Sequence, residues 1–167
     1  NRAIVCSSRV AALSAFQDQK KKRRRKRRRL APGTPPGTIA ADPSASATTI
    51  RVIAFGQDAV VEREVHAVTE IVPIRSAFST VWVDVSGLAD IDRIRAMGEL
   101  LGLHALALED VVNVHQRAKV DLFDDYLFVV ARMIDGEETD VTAQISFFLK
   151  KGLLISFQER PGGCWDG

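Results

Sequence analysis

The chain has 167 residues, 46% of them hydrophobic and 26% charged, which is the balance of a folded globular domain and excludes a disordered one. Its net charge of +2 conceals a sharp asymmetry: residues 20–29 are ten consecutive lysines and arginines, while residues 30–167 carry eleven basic against twenty acidic residues, a balance of −9. A uniformly basic nucleic-acid binder is thereby excluded, and an acidic domain with a basic tail remains. The two cysteines, Cys6 and Cys164, lie near opposite ends and form no Cys-x-x-Cys motif, so a disulfide framework is not expected. No apolar run reaches the about 18 to 20 residues needed to span a bilayer. Residues 3–16 are mildly apolar, but Arg9 interrupts them and the basic block follows. A secretory leader has the opposite order, and none is expected.

Three zones follow along the chain. Residues 1–29 read as a solvated, disordered tail, because ten adjacent cations repel one another and cannot be buried. Residues 30–48, with Pro32, Pro35, Pro36, Pro43, Gly33 and Gly37, read as an extended lead-in. Residues 49–167 carry the pattern of an α/β domain. Ile50–Phe55 is a β-branched run that ends at Gly56 and predicts a strand. Residues 58–72 predict a short helix followed by a strand. Val81–Val85 alternates as a strand, closed by Ser86-Gly87.

Residues 90–101 predict a helix. Leu88, Ile91, Ile94 and Leu101 share one stripe, Asp90 and Asp92 stand at the positive end of the helix dipole, and Gly102 is placed for a C-cap. Leu106–Val112 predicts a second, shorter helix, and Val120–Phe123 a brief strand. Tyr126–Ile134 is almost continuously apolar, as a strand buried on both faces would be. Thr142–Leu149 and Leu153–Phe157 predict a hairpin through Lys150-Lys151-Gly152. Strands before and after a helical pair imply a mixed sheet covered by helices.

Catalytic templates are missing. There is no Gly-x-Gly-x-x-Gly and no phosphate loop, and the prolines of Gly33-Thr-Pro-Pro-Gly37 remove the N–H donors that a phosphate cradle needs. Cys164 would need a base such as His104 or His115 beside it to act as a nucleophile, and the spacing offers none. His66, His104 and His115 are scattered, which argues against zinc.

Hard-cation chemistry suits the acidic residues better, because magnesium takes oxygen ligands, keeps several waters and is often held by only one or two carboxylates. Glu109 and Asp110 sit on the second predicted helix. Neighbouring helical residues point roughly 100° apart, so the two reach for different partners rather than chelating one ion. Asp121, Asp124 and Asp125 form a second acidic cluster; Asp135, Glu137, Glu138 and Asp140 form a third. Each cluster also reads as an ordinary solvated surface. The basic block offers two further readings, counterion-releasing contact with nucleic acid or attraction to an anionic membrane. With no aromatic residue interleaved, it offers no base stacking.

Leu108-Glu-Asp-Val-Val-Asn-Val-His-Gln-Arg-Ala-Lys-Val120, followed by Asp124-Asp-Tyr126-Leu-Phe128, resembles the signature of the CorA family of magnesium channels. Trp82-Val-Asp-Val-Ser-Gly87, the Gln144-Ile-Ser146 strand and Phe157-Gln-Glu159 fit the same pattern, and the likeness runs over about residues 35–166. Ala118 stands where the family has proline, and Gly163 where it often has aspartate. The zinc-transporting branch is a weaker match. The family's stalk helix, two membrane helices and Gly-Met-Asn motif are absent, so the chain resembles an amino-terminal cytosolic domain.

The resemblance implies a fold and a role. The fold is an αβα arrangement with a mixed sheet between helices, assembled as a homopentamer. The implied role is sensing of Mg²⁺ by ions bound between neighbouring subunits, which favour a closed pore. The full-length protein would then lie in the cell's inner or plasma membrane, with this part on the cytoplasmic side, and conduct Mg²⁺, with Co²⁺ or Ni²⁺ as further cargo. By motif position, Asp110 matches the principal interface ligand and Glu109 an adjacent secondary site; the opposing acidic residue lies on the stalk helix. No catalytic residue is expected. The basic tail is consistent with contact to an anionic membrane surface and equally with a charged tail that has no fixed partner, and no specific nucleic acid is expected. The rival readings are a soluble binding module whose basic tail contacts nucleic acid or an anionic membrane, and a hydrolase built on Cys164 or the acidic pairs.

Overall fold

The computed structural model describes residues 35–40, 42–134 and 142–161, all within the unit Pro32–Gly167. The predicted tail (residues 1–29), Cys6, Cys164, Gly163 and the third acidic cluster lie outside the described residues. Seven strands form one mixed sheet: β1 (Thr49–Phe55), β2 (Val60–Glu64), β3 (Thr80–Ser86), β4 (Lys119–Leu122), β5 (Tyr126–Ile134), β6 (Thr142–Lys150) and β7 (Leu153–Gln158). Their spatial order is β2-β1-β3-β7-β6-β5-β4, and only the β3–β7 pairing is parallel. Among the described residues, three α-helices are α1 (Ile71–Ala77), α2 (Ile91–Leu101) and α3 (Ala105–Val112). The α/β class and the mixed sheet are as the sequence leads one to expect.

The local chemistry explains most boundaries. At α2 the Asp90 carboxylate accepts a hydrogen bond from the Arg93 N–H at 3.0 Å and so caps the amino end. Gly102 closes the other end in the left-handed region at φ 66°, which only glycine enters without a Cβ penalty. The β6–β7 hairpin turns through Lys151-Gly152, with Lys150 opposite Leu153.

Between residues 58 and 72 the order is the reverse of the one expected. The strand comes first, as β2, and a 3₁₀ turn (Val68–Glu70) then leads into α1. The reversal after β1 is held by the Gly56 N–H donating to the Ala59 carbonyl at 2.8 Å. Strand β2 is an edge strand, exposed along its whole length, so nothing selects an alternating apolar pattern in it. Val68, Ile71 and Ile74, three residues apart, form the buried stripe of the helix that follows. Pro73 lies in its first turn, where the missing N–H has no helical partner to lose.

The core lies between the helices and one face of the sheet. Ile50, Val52, Val81, Val83, Phe128, Phe148, Ile155 and Phe157 from the strands meet Ile71, Ile94, Met97, Leu108 and Val111 from the helices. The Phe128 and Phe148 rings are 4.7 Å apart, and Phe148 meets Phe157 edge-on at 5.8 Å. Strand β5 corrects the expectation of burial on both faces. Tyr126, Phe128 and Val130 are buried, but Leu127 is 39% exposed. Among the described residues, the helical side chains that enter the core all meet the face that carries Phe128. On the opposite face, Leu122, Leu127, Leu149 and Leu154 stand side by side across four strands, with Leu122 81% exposed. That second apolar face is why β5 reads as a continuous apolar run.

Candidate metal site on helix α3

Helix α3 presents the two carboxylates that the sequence singles out. Its amino end is capped by His104, whose Nδ1 accepts from the Leu106 N–H at 3.2 Å. The His104 N–H in turn donates to the Tyr126 hydroxyl at 2.9 Å. His104 thus serves the backbone. Ala107, Leu108 and Val111 are buried, which leaves Glu109 and Asp110 on the flank, half-buried.

The pair reaches for different partners, as helical geometry requires. The Glu109 Oε2 accepts from the Gly37 N–H at 2.7 Å and ties the lead-in segment to α3. Gly37 has φ 81°, and a Cβ there would come within 3.1 Å of the Ala105 Cβ. The position therefore favours glycine twice over, for its left-handed backbone and for the close approach. A carboxylate offers about four lone-pair directions, so Glu109 keeps acceptor capacity beyond this bond.

Asp110 turns towards β4. Its Oδ2 is 2.8 Å from the Lys119 ammonium, which also lies 2.5 Å from the Oδ2 of Asp121. Lys119 and Asp121 are two residues apart on a strand and so share a face, the one that carries Phe128 and Val130. The ammonium sits 5.6 Å from the Phe128 ring centroid, within cation–π reach. Burial alone would lower the pKa of Lys119, but the hydrogen bonds and charges of Asp110 and Asp121 outweigh it and hold the pKa above the ordinary lysine value.

A buried glutamine fixes the backbone beneath Asp110. The Gln144 Nε2 donates to the Asp110 carbonyl at 2.8 Å, and its Oε1 accepts from the Gln116 N–H at 3.0 Å. The Gln144 N–H donates to the Glu159 carboxylate at 2.7 Å. Gln144 therefore bridges α3, the loop after it and the sheet. Sequence reasoning gave no role to Lys119 or Gln144. The signal for Lys119 was present: a basic residue nine positions after Asp110 and two before Asp121, immediately before the predicted strand Val120–Phe123.

The remaining acidic and histidine candidates disperse. Asp125 pairs with Lys150 at 2.9 Å, and that ammonium also reaches the Leu101 carbonyl at the end of α2, at 2.7 Å. Asp124 is exposed. Among the described residues, no three His, Cys, Asp or Glu side chains come together as a metal cage. Asp110 and Asp121 do supply hard carboxylate oxygens converging on one cationic nitrogen, and this suits a Mg²⁺ ion that keeps its waters and takes one or two carboxylates.

Comparison with known proteins then places the chain. A family model described as CorA-like Mg²⁺ transporter protein matches residues 79–166. The chain is 31% identical over 138 residues to the cobalt/magnesium transport protein CorA of Thermotoga maritima, covering 80% of this chain and 39% of that protein. It spans, then, about two fifths of the length of that curated relative. Among solved structures, the full-length CmaX protein superposes at a TM-score of 0.52 with 18% identity, over 68% of this chain and 35% of that one. The ZntB cytoplasmic domain of Vibrio parahaemolyticus superposes at 0.51 with 14% identity, over 70% and 46%. These two likenesses concern the fold alone. The family match covers more than half of the residues and runs from β3 through α3, Asp110 and Lys119 to the end of β7, and on this ground the chain belongs to the family of CorA-like Mg²⁺ transporter proteins.

Proposed function

We propose that this chain is the cytosolic Mg²⁺-sensing domain of a CorA-type divalent-cation transporter, and that Asp110 contributes half of a regulatory cation site completed by a neighbouring copy. The observation that carries the reading is the placement of Asp110. It lies on the flank of α3, 22% exposed and facing a cation that it shares with Asp121. Bringing acidic surfaces of several copies together costs repulsion, and a divalent ion offsets that cost only while bound. Occupancy therefore biases a closed assembly by mass action. The −9 balance of residues 30–167 also favours cations near a pore mouth.

In this reading Mg²⁺ is both the regulator and the cargo, with Co²⁺ or Ni²⁺ as alternative cargo, and the copies assemble as a homopentamer. The domain lies on the cytoplasmic side of the membrane, with the basic block of residues 20–29 against anionic lipid. Glu109, already engaged by the Gly37 N–H, is the weaker ligand. The apolar second face of the sheet suits the other helical layer of the αβα arrangement.

Limited proteolysis of the full-length protein tests the proposal. Mg²⁺ should protect the wild type, and Asp110→Ala should need markedly more Mg²⁺ for the same protection; an unshifted requirement removes Asp110 from the sensor. The isolated chain should bind Mg²⁺ weakly by titration calorimetry, because half of the site is contributed elsewhere. Submicromolar binding contradicts the half-site picture.

A further inference from the structure

We infer that Lys119 is a tethered competitor for the cation position on Asp110: its ammonium sits where the metal would sit and must withdraw before a divalent ion can take the same carboxylate oxygen. The inference rests on Asp110 being a metal ligand, as proposed above, and adds what sets the threshold of that site.

Three observations carry it. First, the Lys119 Nζ is 2.8 Å from the Asp110 Oδ2 and 2.5 Å from the Asp121 Oδ2, so one positive charge already bridges two carboxylates. Second, the ammonium is not a loose surface group. Its side chain is 35% exposed, its stem leaves β4 on the face of the core, and the Phe128 ring lies under the charge at 5.6 Å. Third, the backbone beneath the acceptor is positioned independently of the lysine. Gln144, buried in the sheet, holds the Asp110 carbonyl at 2.8 Å, and α3 fixes the direction of the side chain. The backbone that carries the carboxylate therefore stays in place when the ammonium leaves.

An ammonium and a hydrated Mg²⁺ compete for the same oxygen atoms, but they differ in valence and in tether. The lysine is always present at a high local concentration, whereas the ion must reach a free concentration at which its double charge prevails. The bridge therefore raises the Mg²⁺ level at which the site fills without removing the site. Lys119 has four methylenes through which to swing outward, and the Asp121 carboxylate, freed in the same step, remains beside the arriving cation.

The test is a Mg²⁺ titration of the full-length protein, with the ion concentration giving half-maximal protection from proteolysis as the readout. Lys119→Met should lower that concentration roughly three- to tenfold, the range expected from removing two partly exposed ion pairs. Lys119→Arg keeps the charge and offers a fork that can hold both carboxylates, so its midpoint should equal or exceed that of the wild type. Lys151→Met removes a charge from the exposed β6–β7 turn and should move the midpoint by less than about twofold, because screening weakens distant charges.

An unchanged or raised midpoint in Lys119→Met overturns the inference, as does a lowered midpoint in Lys119→Arg. An equal shift in Lys151→Met also overturns it, because the effect would then be one of bulk charge. Asp110→Ala separates the two levels of the argument. If it weakens protection while Lys119→Met does nothing, the sensor stands and the competitor falls. If it changes nothing, both fall. Lys119→Arg keeps the inference testable even where Lys119→Met fails to fold.

Discussion

Replacing Gln144 with leucine probes the support beneath the candidate site. The side chain is buried and joins two backbone groups that no other described side chain serves: it donates to the Asp110 carbonyl at 2.8 Å and accepts from the Gln116 N–H at 3.0 Å. Leucine is close to glutamine in volume, so packing changes little while both bonds are lost. A buried polar group left without its partner costs about 1–3 kcal/mol. Both backbone groups lie at the edge of the core, where water recovers part of the loss, so Gln144→Leu should destabilise the chain by about 2–3 kcal/mol. That is a large share of the about 5–15 kcal/mol by which a domain of this kind is stable. Urea denaturation followed by circular dichroism measures it, with a lower midpoint and an unchanged slope. Gln144→Glu refines the test. Its carboxylate repels the Asp110 carbonyl at neutral pH and regains a donor when protonated, so its deficit should shrink as the pH falls. A loss of less than about 0.5 kcal/mol in Gln144→Leu, the ordinary surface value, would refute the reasoning.

Two further outcomes follow from the core and from ionisation. Phe128→Ala opens a void beside Phe148 and beneath Lys119, and should cost about 3–5 kcal/mol by the same urea assay; a cost near that of a surface substitution contradicts the packing described. On the alkaline side, burial raises the Tyr126 pKa above the ordinary 10.0, opposed in part by the hydrogen bond from the His104 N–H. The folded pKa lies above the unfolded one, so the stabilisation is fully present below pH 10.0 and is lost as the pH rises through the folded value. Lys119, raised above 10.5, acts in the same direction. Thermal midpoints should therefore fall above pH 10.0, and Tyr126→Phe should fall less steeply than the wild type; parallel curves contradict the assignment.

Much of the fold was legible because its signals are local. The Asp90 cap, Gly102 and the stripe Ile91–Ile94–Leu101 define α2, and the apolar run of β5 has the bounds read from the sequence. The segment 58–72 failed because an edge strand exposed on both faces carries no periodic pattern, while pairing with β1 across the backbone decides its conformation. Burial of β5 on both faces failed for a different reason. Sequence reports that a face is apolar, not what covers it. At the site, the divergence of Glu109 and Asp110 followed from helical geometry alone. The contribution of Gln144 was invisible, because it spans 34 residues of sequence to reach the Asp110 carbonyl. Membership of a transporter family also agrees with the reading of the chain as something other than an enzyme.

The central claim is that a divalent ion replaces a lysine on the carboxylate of residue 110. Crystals of the full-length protein grown with Co²⁺ in place of Mg²⁺ test it directly through anomalous scattering. The account predicts a cobalt peak beside Asp110, in direct contact or through one water, with the Lys119 ammonium swung away. A cobalt-saturated crystal in which Lys119 still bridges Asp110 and Asp121, with the nearest peak elsewhere, would contradict it.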